Sequence, residues 1–212
     1  MFQRDKRFSF FWITRLKRNI LTNELYKDKA RFNIHGGQQE FAINFFDTYL
    51  PVVNWFAIRI LLIPAVIFKW HTRHIDCVLP YPQADIEIPL YKKVPSKITV
   101  KGKKGKRAVL KLRKNLYGQK KAERVWCKYL TSKLKKIGFE PSEVDEYILY
   151  KGSCVFFFYV NDGIFLSPDK KEVNRDVDDL KATGLDLEDR DNISDYLDIN
   201  FNDETNGTIT MS

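Results

Sequence analysis

Cysteine is scarce in this chain. Cys77, Cys127 and Cys154 are the three in 212 residues, and no two of them have C-x-x-C spacing. That excludes a disulfide scaffold and a Cys-rich zinc site, and it fits a reducing compartment. Long apolar runs are missing too. The longest, Ile60 to Phe68, is nine residues and contains Pro64, less than half of the roughly 20 needed to span a bilayer, so no membrane span is expected. The start, Met1-Phe-Gln-Arg-Asp-Lys-Arg, alternates charge with aromatics and is not a signal peptide. With no targeting signal seen, a cytoplasmic or nuclear location is expected. There is no Walker A loop, no G-x-G-x-x-G and no G-x-S-x-G, which removes the chemistries those loops serve.

What is present points to a folded domain. The chain is 44% hydrophobic and carries 16 Phe, 10 Tyr and 4 Trp, enough for one large core or two small ones and too much for a disordered chain. The net charge of +9 conceals an asymmetry. Residues 1–139 hold 30 Lys and Arg against 9 acids, whereas residues 140–212 hold 6 against 18. A body this basic suggests a polyanionic partner, with a solvated basic face as the plain alternative.

The patterning mixes strands and helices. Phe8–Thr14 and Ala30–Ile34 read as strands, the second ended by His35-Gly36-Gly37. Val52–Phe68 has Trp55, Ile58, Leu62 and Val66 at helical spacing, and Pro64 is expected to kink or split that helix. Arg73–Leu79 reads as a strand closed by Pro80-Tyr81-Pro82. Lys92–Arg124 carries 14 Lys and Arg and one acid, with an exposed loop at Lys101–Arg107. Ala122–Ile137 is an amphipathic helix with Val125, Tyr129, Leu130, Leu134 and Ile137 on one face and Gly138 as its C-cap. Tyr147–Tyr150, Cys154–Val160 and Ile164–Leu166 read as three strands joined by short Gly-bearing turns. Lys170–Leu180 reads as a helix and Tyr196–Phe201 as a last strand.

Two acids stand where metal sites tend to be built. Asp76 ends a strand, and Asp162 lies at the expected tip of a hairpin whose incoming strand looks buried on both faces. Adjacent strands ending together could hold the two carboxylates as a clamp for Mg²⁺, a hard ion taken by carboxylates and substrate phosphates. An Asn-Asp-Gly turn and a strand-end Asp are equally ordinary caps. Lys27, Lys29 and Arg31 alternate along one strand and could share a face toward a triphosphate, or simply protect an edge. The basic strip, with Tyr91, Tyr117 and Trp126 nearby, could bind nucleic acid by counterion release. His71 and His74 have ligand spacing without a third ligand near in sequence.

Taken together, these pieces resemble the reverse transcriptase of copia-type LTR retrotransposons. Lys29-Ala30-Arg31, Gly36-Gly37-Gln38-Gln39, Thr48-Tyr-Leu-Pro51-Val52-Val53, Ile75-Asp76-Cys-Val-Leu-Pro-Tyr81-Pro-Gln-Ala84, Leu116-Tyr117-Gly118 through Ala122 to Trp126, and Tyr159-Val160-Asn161-Asp162 are similar to that family's motifs and stand in its order. The resemblance implies an α+β right-hand polymerase: a palm built on an antiparallel sheet with helices on one face, plus fingers. Residues 1–70 would be fingers-like, and 71–212 palm with a basic insertion at 92–115. It implies that Asp76, Asp162 and the family's acidic position at Asn161 are catalytic, with Asp76 and Asp162 holding two Mg²⁺ (or Mn²⁺) ions. Lys29, Arg31, Tyr117, Gly118 and Lys121 would meet dNTP and an RNA or DNA template-primer. The rest of a retrotransposon polyprotein is an expected partner.

The departures carry weight as well. Asn161 stands where the family has Asp, and an amide cannot ionise. Lys121 stands where it has Gln. The chain ends near where the family's palm passes into its thumb, so a missing thumb is expected. An RNA-directed DNA polymerase domain impaired by Asn161 and Lys121 is the expectation. A catalytically dead remnant or a basic nucleic-acid-binding module is the alternative.

Overall fold

The computed structural model describes residues 8–18, 22–46, 48, 53–94, 109–190, 195–196, 199–203 and 209–211. The chain divides into two compact units, one made of Met1–Tyr49 with Tyr81–Trp126, the other of Leu50–Pro80 with Cys127–Ser212. Helix and sheet are mixed throughout, as the patterning predicts.

In the first unit, β1 (Phe10–Arg18) and β2 (Leu25–Ile34) form an antiparallel hairpin in which Phe10 faces Ile34 and Arg15 faces Lys29. Both strands run longer than the apolar pattern suggests, because the cross-strand ladder continues through Arg15, Lys17 and Lys27 once the hairpin closes. Phe8, Ile34 and Leu90 make a small core with Phe10, Ile86 and Leu112 packed on it. The buried amide of Asn115 donates to the carbonyls of Ala84 and Asp85, tying down the turn after α2 (Pro80–Gln83). The ends of the basic strip pair as β4 (Tyr91–Lys93) and β5 (Val109–Lys111), while the Lys101–Arg107 loop lies outside the described residues.

The second unit opens with α1 (Trp55–Ile67), capped by Asn54, whose side chain accepts from the Phe56 N–H at 2.9 Å. Pro64 does not split it. It sits in the last turn, so the missing N–H leaves one carbonyl, that of Ile60, without its helical donor, and the Phe68 N–H still reaches the Pro64 carbonyl at 2.8 Å. The centre of the unit is a six-stranded sheet of order β10-β3-β9-β8-β7-β6. Its strands are β3 (His71–Cys77), β6 (Glu140–Pro141), β7 (Ile148–Lys151), β8 (Cys154–Tyr159), β9 (Asp162–Ser167) and β10 (Leu187–Asp189). Every pairing is antiparallel.

Burial explains the sheet's order. Phe156, Phe157 and Phe158 are consecutive on β8 and all essentially inaccessible, so both faces of that strand are covered, as its continuous apolar run requires. Helix α4 (Lys170–Ala182), capped by Asp169, packs on β3 and β9 and buries Val173, Val177 and Leu180. Helix α3 (Ala122–Lys136), within which the boundary between the units falls, buries Val125, Leu130 and Leu134 of the predicted face, and Trp126 and Cys127 besides. It ends where Gly138 turns left-handed at φ 94°, letting the Phe139 N–H reach back to the Leu134 carbonyl at 3.1 Å. A further antiparallel set, β11 (Asp195–Tyr196), β12 (Ile199–Asp203) and β13 (Ile209–Met211), falls where a last strand is expected. Among the described residues no helix is long and apolar enough to cross a membrane.

Candidate active site

The β8–β9 connection is two residues, Val160 and Asn161. Asp162 is therefore not at a hairpin tip but is the first residue of β9, paired with Tyr159. The turn tightens by one residue because the ladder closes at Tyr159 and Asp162, leaving Gly163 inside the strand. Gly163 is needed there: a Cβ would stand 2.5 Å from the Phe156 ring and 3.2 Å from Ile75. Of the two turn residues Val160 alone has positive φ, at 55°, an unfavourable conformation for a β-branched side chain.

This register decides the site. Asp162 lies directly across from Asp76 on β3, and Asp76 in turn lies directly across from Glu188 on β10. Cross-strand partners point to the same face with Cβ atoms roughly 5 Å apart, so three acids form one row over three adjacent strands. The Cys77 N–H donates to the Asn161 carbonyl at 2.8 Å and locks the turn against the end of β3.

Each carboxylate of the pair already has a donor. The Asn161 side-chain amide donates to Asp76 Oδ1 at 2.6 Å, and the Arg190 guanidinium donates to Asp76 Oδ2. His74 Nε2 lies 3.2 Å from Asp162 Oδ1. Burial, with the charges of Asp76, Asp162 and Asp186 adding to it, pushes the Cys77 thiol well above its ordinary range, so it is no nucleophile. His71 is exposed and His74 faces Asp162. Among the described residues no cluster of three or more His, Cys, Asp or Glu is placed to hold a metal ion.

The other candidates gather in the first unit. Arg31 stacks its guanidinium over the Tyr117 ring at 5.2 Å, and Tyr81 meets the same ring edge-on at 4.7 Å. The Tyr117 carbonyl accepts the Ile34 N–H at 2.9 Å. Gly118, at φ 83°, and Gly36 are pressed backbone to backbone: a Cβ on Gly36 would lie 2.1 Å from the Gly118 carbonyl oxygen. Gln39 accepts the Lys120 N–H at 2.8 Å, so the Gly-Gly-Gln-Gln segment holds the 116–122 loop in place. Gly36 and Gly118 border a cleft of about 440 Å³, among whose walls are Phe11, His35, Tyr81, Lys120 and Glu123. Burial holds the Glu123 carboxyl above the usual range. Lys29 lies on β2 opposite Arg15. Lys121 is drawn into an ion pair with Glu87 at 2.6 Å.

The structure thus brings together Asp76, Asn161 and Asp162 in one place and Arg31, Tyr117 and Gly118 in another. One contributor has no sequence signal. Arg190 is 114 residues from its partner Asp76. Tyr81 stands in the motif that follows Asp76, but its meeting with the Tyr117 ring comes from the fold.

Residues 3–212 match the family model described as "Reverse transcriptase (RNA-dependent DNA polymerase)". The chain is 29% identical over 164 residues to the retrovirus-related Pol polyprotein from transposon TNT 1-94 of Nicotiana tabacum, covering 75% of this chain. It is 31% identical over 173 residues to that from transposon RE1 of Arabidopsis thaliana and 29% identical to that from transposon RE2, covering 80% of this chain in each case. It spans about 12% of the length of these curated relatives.

Proposed function

The chain belongs to the reverse transcriptase (RNA-dependent DNA polymerase) family, in its copia-type branch, and from that premise we propose that it is a template-primer-binding polymerase domain whose nucleotidyl transfer is impaired. In this reading the first unit, which takes in residues 81–126 and leaves out 50–70 and so departs from a division at residue 70, serves as fingers and the second as palm. Asp76 and Asp162 are the surviving catalytic carboxylates. Lys29, Arg31, Tyr117 and Gly118 meet dNTP and an RNA or DNA template-primer, and the rest of a Pol polyprotein is the natural partner.

The observation that carries the reading is the direct register of Asp76 with Asp162 beside the Asn161 turn. It puts two acids on one face of adjacent strands, which supports reading them as the family's catalytic pair. The same geometry argues for impairment. Two Mg²⁺ or Mn²⁺ ions would need anionic oxygens open to them. Here position 161 supplies a neutral amide, and both oxygens of Asp76 accept hydrogen bonds from within the protein. The donor set as it stands does not fit a pair of divalent ions. Lys121, held by Glu87, adds a cation beside the loop where the family has a neutral amide.

The test is primer extension on an RNA template with Mg²⁺ or Mn²⁺, comparing the chain with Asn161→Asp. Extension by Asn161→Asp alone supports the reading. Extension by the unaltered chain at a comparable rate would overturn the impairment. Silence from both in folded protein would favour a second reading, a nucleic-acid-binding module resting on the basic charge of residues 1–139.

A further inference from the structure

We propose that Arg190 is a built-in counter-cation of the carboxylate row, standing in for a divalent ion at Asp76 and competing with one. The inference rests on the reading of Asp76 and Asp162 as the carboxylate centre.

The row Glu188, Asp76, Asp162 sets three acids side by side across β10, β3 and β9. Three carboxylates at such spacing repel one another unless cations lie among them. Arg190 is a cation that the fold sets beside them. Its backbone N–H donates to the His74 carbonyl at 2.9 Å, extending the β10–β3 pairing by one residue. From that anchor the guanidinium reaches forward along β3. Nη2 donates to Asp76 Oδ2 and lies 3.9 Å from Glu188 Oε2. One charged group thereby serves two members of the row. Asn161 takes the remaining oxygen of Asp76 and His74 takes Asp162.

The competition follows from the chemistry of the two cations. A guanidinium is charged at every physiological pH and presents a planar fork of donors to a carboxylate. It is tethered one residue beyond β10, so its effective concentration at Asp76 is on the order of millimolar or higher, independent of the ion content of the solution. A hydrated divalent ion must displace it to reach Oδ2. Among the described residues Asp76 is the member of the row with both oxygens donated to, so the block falls there. Arg190 is itself half in solvent, so it can swing away without disturbing the core.

The experiment uses the full 212-residue chain and Mn²⁺ as the probe, with bound and free ion separated by electron paramagnetic resonance. Arg190→Met is expected to bind Mn²⁺ about tenfold more tightly than the unaltered chain, an effect of the size ordinary for removing a neighbouring like charge from a binding site. Arg190→Lys is expected to stay close to the unaltered chain. In the unaltered chain, phenylglyoxal modification at Arg190, read by peptide mass spectrometry, is expected to rise in step with Mn²⁺ occupancy as the guanidinium is displaced. That arm needs no variant to fold. Equal Mn²⁺ affinity in Arg190→Met and the unaltered chain, with affinity falling in Asp76→Asn, would overturn the counter-cation while leaving the Asp76 centre intact. Modification at Arg190 indifferent to bound Mn²⁺ would overturn it too. If Asp76→Asn leaves Mn²⁺ affinity unchanged with and without Arg190→Met, the centre is misplaced and the proposal falls with it.

Discussion

The side-chain amide of Asn161 donates to Asp76 Oδ1 at 2.6 Å, across 85 residues of sequence. An aspartate at position 161 would replace that bond with two facing carboxylates. The amide is thus matched to a site without metal, and the acid to a site with one.

Asn161→Asp is therefore expected to lower stability in chelator. The loss should be roughly 1–2 kcal/mol, the worth of a hydrogen bond to a charged group plus like-charge repulsion moderated by partial solvent access. Saturating Mg²⁺ or Mn²⁺ is expected to restore it, because an ion bound only by the folded state stabilises that state. Urea unfolding with and without metal checks this. Equal midpoints for the variant in both conditions would count against a metal-responsive site.

Gly36 and Gly118 offer a test of the first unit that is independent of metal. Gly36→Ala would drive a methyl onto the Gly118 carbonyl oxygen, and Gly118→Ala would put one 2.4 Å from the Ile34 oxygen at a positive φ. Backbone atoms on both sides cannot yield as a side chain does. Each substitution is expected to destabilise by about 2 kcal/mol or more. Gly184→Ala, which meets nothing within 4 Å though its φ is also positive, separates the two effects: its smaller loss measures backbone strain alone. Thermal unfolding of the three variants reads out the order.

Glu172 predicts an acid limb in the stability profile. Burial pushes its carboxyl up, yet hydrogen bonds from the Ser153 and Ser167 hydroxyls and from the Ser153 backbone N–H, with the Arg175 charge nearby, hold it below the usual range. A folded-state value below the unfolded one means that the unfolded chain takes up the proton first. The contribution is present above the unfolded carboxyl value of about 4.3 and is lost as pH falls through the lowered folded value. Glu172→Gln is expected to melt below the unaltered chain at pH 6, with the gap closing as pH falls through the lowered folded value. A gap independent of pH would mean that the hydrogen bonds alone, and not the ionisation, set its contribution.

What was legible in the sequence is what short-range pattern encodes. The β8 run is apolar without alternation, which foretold a strand covered on both sides, and Phe156 to Phe158 are covered. Helix α3 followed its periodicity and its Gly138 stop. The likeness in motif order named the family correctly. The turn at Val160–Asn161 was misjudged by a residue because Asn-Asp-Gly is a strong local turn signal. Ladder closure between Tyr159 and Asp162 and the fit of Gly163 under Phe156 outweighed it. Pro64 reads as a point where α1 could split, but a proline in the last turn leaves the helix continuous over Trp55–Ile67. Arg190 was beyond reach, since a side chain's partner in a neighbouring strand depends on register, which local composition does not specify.

Strand β3 lies between β9 and β10 in the sheet, yet it precedes both in the chain by a wide margin. During synthesis Asp76 leaves the ribosome some 85 residues ahead of Asn161. At roughly 5–20 residues per second that is about 4 to 17 seconds. Through that interval β3 has no neighbour on either side, and its backbone donors and acceptors face water or whatever else offers itself. The strand that carries one half of the acidic pair is thus the one that waits longest for its ladder, and the nascent chain is most open to aberrant pairing at the place where its chemistry will later sit.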